Sequence, residues 1–352
     1  MRPVPLQKIT APEPLTMTGF VVTDLDGAER ATGVVRCAKK VLQDGARTMA
    51  RSQTYAWAVL GERISGASAG ISVDPADRAE GIAAFVQAVL PRVQAGELSL
   101  DPAKGVGPGD LTALAEADAR PALRHSPTPD GELAHVLLAH GAVSAATATL
   151  GSLEGRRVAL EGAGAATGAV LAALAAAGAV PVAVATGSQA VVAPDGLDTA
   201  ALAEAWAHHG DGLPGALGSE VSAAAVFTAE ADVLLCGSKL GVVDHDVAAG
   251  LSVGLLVPIA PAPVTAKGLA VATRAGTTVL ADFVTTCGPL LADHPAPDAT
   301  EASLRDAVAS TVAGLVERTS DHPEGPLLGA CYLAEDFLRT WQDQLPFGRP
   351  LA

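Results

Sequence analysis

The stretch Arg157-Val158-Ala159-Leu160-Glu161-Gly162-Ala163-Gly164-Ala165-Ala166-Thr167-Gly168 decides how this chain folds. Arg157–Glu161 reads as a strand, 162–168 as a glycine-rich turn and 169–177 as a helix stopped by Gly178. A second strand follows at 180–185. In a strand–turn–helix–strand unit, Gly162 would permit the tight turn. Gly164 would let backbone approach a pyrophosphate resting on the helix N-terminus, with Ala165 lining the turn. The third position of the strict glycine spacing is Thr167, with Gly168 one later, so helix and strand should pack slightly differently. The bland alternative is a structural turn with no ligand.

Working outward, further buried strands are expected at 232–236, 254–257 and 278–280, alternating with helices. That rhythm predicts an α/β protein with a doubly wound parallel sheet of the Rossmann type. The second strand ends in Thr186-Gly187-Ser188 rather than in an acid. No carboxylate stands there to hold an adenosine ribose or to repel a 2′-phosphate. Thr186 and Ser188 could donate to a phosphate, although no Lys or Arg is near in sequence, so NADP(H) is slightly favoured over NAD(H).

Before this half, apolar spacing over 34–59 suits a helix, 66–70 a small-residue turn and 71–73 a short strand. Asp74 should cap a helix reaching about Leu90, and Asp110 the helix after the 104–109 loop. A loop at 126–131 leads to a long helix over 132–150. Amphipathic spacing marks 301–317, and 339–345 reads as the end of a last helix. The expected domains are 1–140 for substrate binding and oligomerisation and 141–290 for the dinucleotide. Helices in 291–352 should pack back towards the N-terminal domain.

Hydrophobic residues make up 49% of the 352 and aromatics only 3%, so Ala, Val and Leu must fill the core. A formal net charge of −15 disfavours nucleic acid and anionic membrane as partners. The apolar run 169–185 is interrupted by Gly178 and Pro181 and reads as helix then strand, not as a membrane span. Cys37, Cys236, Cys287 and Cys331 lack metal-ligand spacing, and no signal peptide opens the chain. A cytoplasmic protein with buried free thiols and no metal is expected.

Taken in order, several segments resemble the glutamate/leucine/phenylalanine/valine dehydrogenase family, with a length closest to the leucine and valine members. They are Gly33-Val34-Val35-Arg36, Thr54-Tyr55, Gly66-Ala67-Ser68-Ala69-Gly70, the run from Ser152 to Gly162, Ala193-Pro194-Asp195-Gly196-Leu197-Asp198, and Asp282-Phe283 with Gly288. The resemblance implies a nicotinamide cofactor between two domains, reversible deamination of an amino acid, and assembly into at least a homodimer through the N-terminal domain. It places substrate at Arg36, Ala56, Gly66 and Ala67. Beyond the glycine turn it places cofactor at Cys236, Gly237, Ala260 and Thr286.

The resemblance also implies two lysines and an aspartate, and these are missing. The lysine positions carry Ala56 and Ser68, the aspartate position Gly105, and two asparagine positions Pro261 and Thr286. Loss of a general acid or base typically costs about 10²–10⁴ in rate, so ordinary deamination is not expected. Reduction of a preformed imine needs only a hydride and a proton. Ser68, Lys104 and Lys239 are the candidates for new polar work, against ordinary readings as a core serine, a loop lysine and a solvated lysine. Arg36 could hold a carboxylate or pair with an acidic neighbour. His208-His209 reads as a polar helix end. The expected function is an altered NAD(P)-dependent oxidoreductase acting on an imine, amino acid or related small carboxylate. A non-catalytic partner subunit and an enzyme of non-redox chemistry stand as the alternatives.

Overall fold

The computed structural model describes residues 5–352 apart from positions 12, 14, 220 and 346. The chain divides into two compact units, 1–122 with 334–350, and 123–333 with 351–352.

The first unit runs β1 (Leu6–Thr10), β2 (Met17–Thr23), β3 (Ala31–Ala38), α1 (Gln43–Val59), β4 (Ser65–Val73), α2 (Arg78–Gln94), β5 (Leu98–Pro102) and α3 (Thr112–Ala117). Its sheet has the order β1-β2-β4-β3-β5, with β3 parallel to both β4 and β5. Ala67, Ala69 and Ile71 on one face of β4 join Ile82, Phe85 and Val89 of α2 in the main core. The other face lies under α1.

Three expectations fail in this unit. The 34–59 helix begins only at Gln43, because Ala31–Ala38 pairs as a strand on both sides. Residues 66–70 are not a turn but the middle of β4. Their smallness answers a packing need: a Cβ on Gly33 would lie 1.7 Å from the Ala67 carbonyl oxygen, and one on Gly66 would lie 1.9 Å from that of Ala50. Asp110 does not cap α3, whose N-cap is Leu111; it accepts the Gly107 amide at 2.7 Å within the turn Pro108–Leu111. Asp74 does cap, accepting from Ala76, but its turn is the short Pro75–Asp77 segment ahead of α2.

Residues 334–350 complete this unit. The buried Arg51 guanidinium pairs with Asp24 at 2.8 Å and donates to the carbonyls of Phe347 and Gly348. Tyr55 donates to Glu335 at 3.2 Å, and Arg349 reaches the same carboxylate at 2.7 Å. Arg51, Asp24, Trp341 and Phe347 line a cavity of about 930 Å³.

The second unit opens with a small hairpin, β6 (Pro127–Thr128) and β7 (Gly131–Glu132), where a loop was expected. It continues α4 (Leu133–Leu150), β8 (Arg157–Glu161), α5 (Thr167–Ala176), β9 (Val180–Thr186), β10 (Gln189–Val192), α6 (Thr199–His209), α7 (Leu213–Ala216), β11 (Val221–Ser222) and β12 (Val233–Cys236). Then come α8 (His245–Ala249), β13 (Leu255–Pro258), α9 (Ala266–Arg274), β14 (Thr278–Val279), α10 (Asp282–Thr285), α11 (Glu301–Ser320) and α12 (Pro326–Leu338). The last helix stops at Leu338, so 339–345 is not helical.

The sheet order is β11-β10-β9-β8-β12-β13-β14. From β9 to β14 the strands are parallel, and β10 and β11 add an antiparallel edge. Val158, Leu234, Leu235 and Leu256 are fully buried, as continuous apolar strands covered on both faces should be. The chain leaves β8 to one side for β9 and returns to its other side for β12. The switch point of the sheet is therefore the carboxyl end of β8, where ligands bind in open α/β sheets.

α4 is long and apolar enough to cross a membrane, and half of it is buried against neighbours that include α5 and α11. The run 169–185 folds as helix then strand, as expected. All four cysteines are free and buried.

Candidate functional site

Gly162, at φ +57°, turns the chain off β8, and its amide bonds the Ala185 carbonyl of β9 at 3.1 Å. A Cβ there would lie 2.5 Å from Ser238, so only glycine fits. Gly164, at φ +54°, differs: nothing lies within 4 Å of the place its Cβ would take. That opening is where a pyrophosphate would rest, over the first turn of a helix whose own bonds leave its leading amides free. A single 3-10 turn, Gly164–Ala166, leads into α5. Thr167 is buried and donates to the Gly164 carbonyl at 2.8 Å, bracing the turn from beneath. Ala165 is exposed beside it. Gly168 packs on Trp206 of α6, where a Cβ would come within 2.8 Å, so this glycine closes a helix–helix contact. The residues of the turn fit a dinucleotide.

Two acids that the sequence pattern did not mark shape the surrounding loops. Glu161, buried at the end of β8, accepts the amides of Gly237 and Ser238, each at 3.1 Å. It thereby ties the loop after β12 to the glycine turn. Asp282 is buried and accepts the Ala262 amide at 2.8 Å; Ala262 is a non-glycine residue at positive φ, +43°. The Asp-Phe pair of the resemblance thus secures a strained loop after β13.

The other expected cofactor residues cluster at the carboxyl ends of these strands. Cys236 ends β12 fully buried, and burial pushes its thiol well up. Gly237 lies against Ala260, where a Cβ would come within 2.8 Å. Thr286 donates to the Asp282 carbonyl at 2.8 Å. Thr186 is buried and donates to the Asp211 carbonyl at 3.0 Å, which leaves it no hydroxyl proton for a phosphate. Ser188 is exposed in the turn to β10. Lys239 is exposed in the turn after β12. Asp244, His245 and Asp246 come together nearby, but the Asp244 carboxylate caps α8 through the amides of Asp246 and Val247.

The first unit holds the two positions where the resemblance implies lysines. Ala56 is buried on α1, and Ser68 is wholly buried on β4. In the register, Val34 stands opposite Ser68 and Arg36 opposite Gly70. Side chains alternate along a strand, so Arg36 and Ser68 share one sheet face, that of Gly66, which touches Ala50 and Thr54 of α1. Gly66 also donates to the Thr54 hydroxyl at 2.9 Å. Ala67 points to the opposite face, into the α2 core. The Ser68 Oγ and the Arg36 Nε and Nη2 are buried without a hydrogen-bond partner among the described residues. Burial lowers the Arg36 pKa, which marks a cation short of a counter-charge. Gly105 has φ +80°, and a Cβ there would lie 2.0 Å from the Cys37 carbonyl oxygen, so the backbone here has no room for an aspartate. Lys104 is exposed; its carbonyl accepts the Cys37 amide at 3.0 Å.

Comparison with known proteins agrees with this architecture. A family model described as Glutamate/Leucine/Phenylalanine/Valine dehydrogenase matches residues 136–292, the span holding β8, the glycine turn and the parallel strands of the second unit's sheet. The match covers under half of the chain, so the likeness to this family is a likeness of its second unit. The fold likeness extends further. The hetero-hexameric glutamate dehydrogenase from Thermus thermophilus, in a leucine-bound form, superposes with a TM-score of 0.78 at 21% identity, covering 99% of this chain and 91% of that one. Glutamate dehydrogenase from Plasmodium falciparum gives 0.75 at 12% identity, covering 95% and 82%. No curated protein matches the chain by sequence.

Proposed function

We propose that this chain is a member of the dehydrogenase family and an NAD(P)-dependent oxidoreductase acting on a small carboxylate that carries an imine or amine, without the family's lysine, lysine and aspartate. The observation that carries the reading is that the Arg36 Nε and Nη2 and the Ser68 Oγ have no hydrogen-bond partner among the described residues and share one sheet face. Buried guanidinium nitrogens without an acceptor are costly even on a half-buried arginine, and a substrate carboxylate would relieve that cost. Arg36 then holds the carboxylate and Ser68 orients it. Ala67, which faces the α2 core, and Gly66, packed on Ala50, do not line the site, contrary to what the resemblance implies.

A nicotinamide dinucleotide supplies or accepts the hydride when bound. The Gly162–Gly168 turn receives its pyrophosphate, and the loops holding Gly237, Ala260 and Thr286 flank the neighbouring strand ends. Imine reduction consumes one hydride and one proton and needs no activated water, which suits a site lacking the lysine that would activate it. Lys104 and Lys239, both exposed on loops, are the candidates to deliver the proton to nitrogen. We assign the chain to the cytoplasm and expect at least a homodimer.

One observation favours a second reading, a non-catalytic partner subunit. Gly105 leaves no space for the missing acid, so its loss is built into the backbone. A fluorescence titration with NADH and NADPH, followed by an absorbance screen of imino and amino acids, separates the two. Cofactor binding with turnover supports the enzyme, and cofactor binding without turnover supports the subunit. Failure to bind either cofactor removes the oxidoreductase reading.

A further inference from the structure

We infer that Asp211 selects NAD(H) over NADP(H), supplying from a distant segment the carboxylate that the end of β9 lacks. The inference rests on the reading of the glycine turn as a dinucleotide site. The adenosine ribose of such a cofactor lies at the carboxyl end of the strand after the turn, here Thr186-Gly187. Gly162 bonds Ala185 directly, so this strand end borders the turn. Asp211 lies against it: its carbonyl accepts the Thr186 hydroxyl at 3.0 Å, and its Cβ stands 3.5 Å from where a Cβ on Gly187 would be. Main-chain bonding thus fixes the residue in place. Its carboxylate is exposed and has no hydrogen bond or ion pair among the described residues. Gly187, at φ +58°, has no side chain to block approach from that side.

The surrounding charge points the same way. Between Arg157 and Lys239 the chain has no Lys or Arg and eight Asp or Glu. That stretch supplies α5, β10, α7 and the turns 210–212 and 223–228, all packed on β9. His208 and His209 are its only other groups able to carry positive charge. A 2′-phosphate here would meet an acid with no strong base to neutralise it, whereas the two ribose hydroxyls of NAD(H) would donate to Asp211. This inference runs against the slight preference for NADP(H) expected from sequence adjacency.

The test is the dissociation constants of NADH and NADPH for the full-length protein, followed by fluorescence, in wild type, Asp211→Ala and Asp211→Asn. Wild type should bind NADH at least about tenfold more tightly than NADPH, and both variants should bring that ratio towards one, chiefly by weakening NADH. The carbonyl that bonds Thr186 is retained in both, so their melting temperatures should match wild type. Equal or tighter NADPH binding by wild type, or an unchanged ratio in folded variants, overturns the role of Asp211 and leaves the dinucleotide site standing. Absence of binding by either cofactor overturns the site itself, and this inference with it.

Discussion

Substituting Gly105 with alanine measures directly whether the family's acid has been lost beyond simple reversion. At φ +80° a residue with a Cβ costs about 1–2 kcal/mol more than glycine. The Cβ would also sit 2.0 Å from the Cys37 carbonyl oxygen, a backbone atom that cannot swing aside. Overpacking of that kind costs about 1–3 kcal/mol more. The sum, about 2–5 kcal/mol, should lower the melting temperature by roughly 5–15 °C. Amide exchange should accelerate at Cys37 and Val106, which bond the Lys104 and Ala103 carbonyls in the same loop. Gly105→Asp should be at least as unstable, and combining it with Ala56→Lys and Ser68→Lys should not restore deamination. A Gly105→Ala melting temperature within about 2 °C of wild type would refute the steric argument. So would leucine or glutamate turnover by the triple variant.

Asp24→Ala should cost about 3–5 kcal/mol in urea unfolding, because it strands the Arg51 charge where both side chains are buried. Pairing Asp24→Leu with Arg51→Met should recover most of that loss. The hydrogen bonds from Arg78 and then from the Gly107 amide hold the Asp110 carboxyl below the usual carboxylate value. A depressed folded-state pKa gives stabilisation that is complete above the unfolded value, about 4, and fades as pH falls through the folded one. Melting temperatures measured from pH 7 to pH 3 should therefore show a steeper acid fall in wild type than in Asp110→Asn.

Legibility in the sequence followed the physics of each element. Strands β8, β9, β12 and β13 were readable because a strand buried on both faces must be a short continuous apolar run, and here each borders a turn residue. The glycine turn was readable because positive φ and close approach demand glycine at Gly162. β3 was misread because Val34-Val35 followed by small residues runs without a breaker into α1, and spacing alone cannot separate such a strand from a helix. Residues 66–70 looked like turn chemistry, yet their smallness serves the close approach of α1 and β3. The emptied lysine and aspartate positions were visible by correspondence. The pairing of Arg36 with Ser68 was not, because they share a face only through the β3–β4 register. Asp211 was invisible for the same reason, since it reaches Thr186 from 25 positions downstream.

The Arg51 guanidinium reaches Phe347 across 296 positions of sequence, and the Tyr55 hydroxyl reaches Glu335 across 280. During synthesis the amino-terminal sheet therefore emerges from the ribosome long before the partners of these buried groups. The second unit, continuous from 123 to 333 apart from residues 351–352, can form most of its contacts first. Until 347 and 348 arrive, Arg51 has only Asp24 among these partners, so the first unit reaches its full bonding after the bulk of the second has been made.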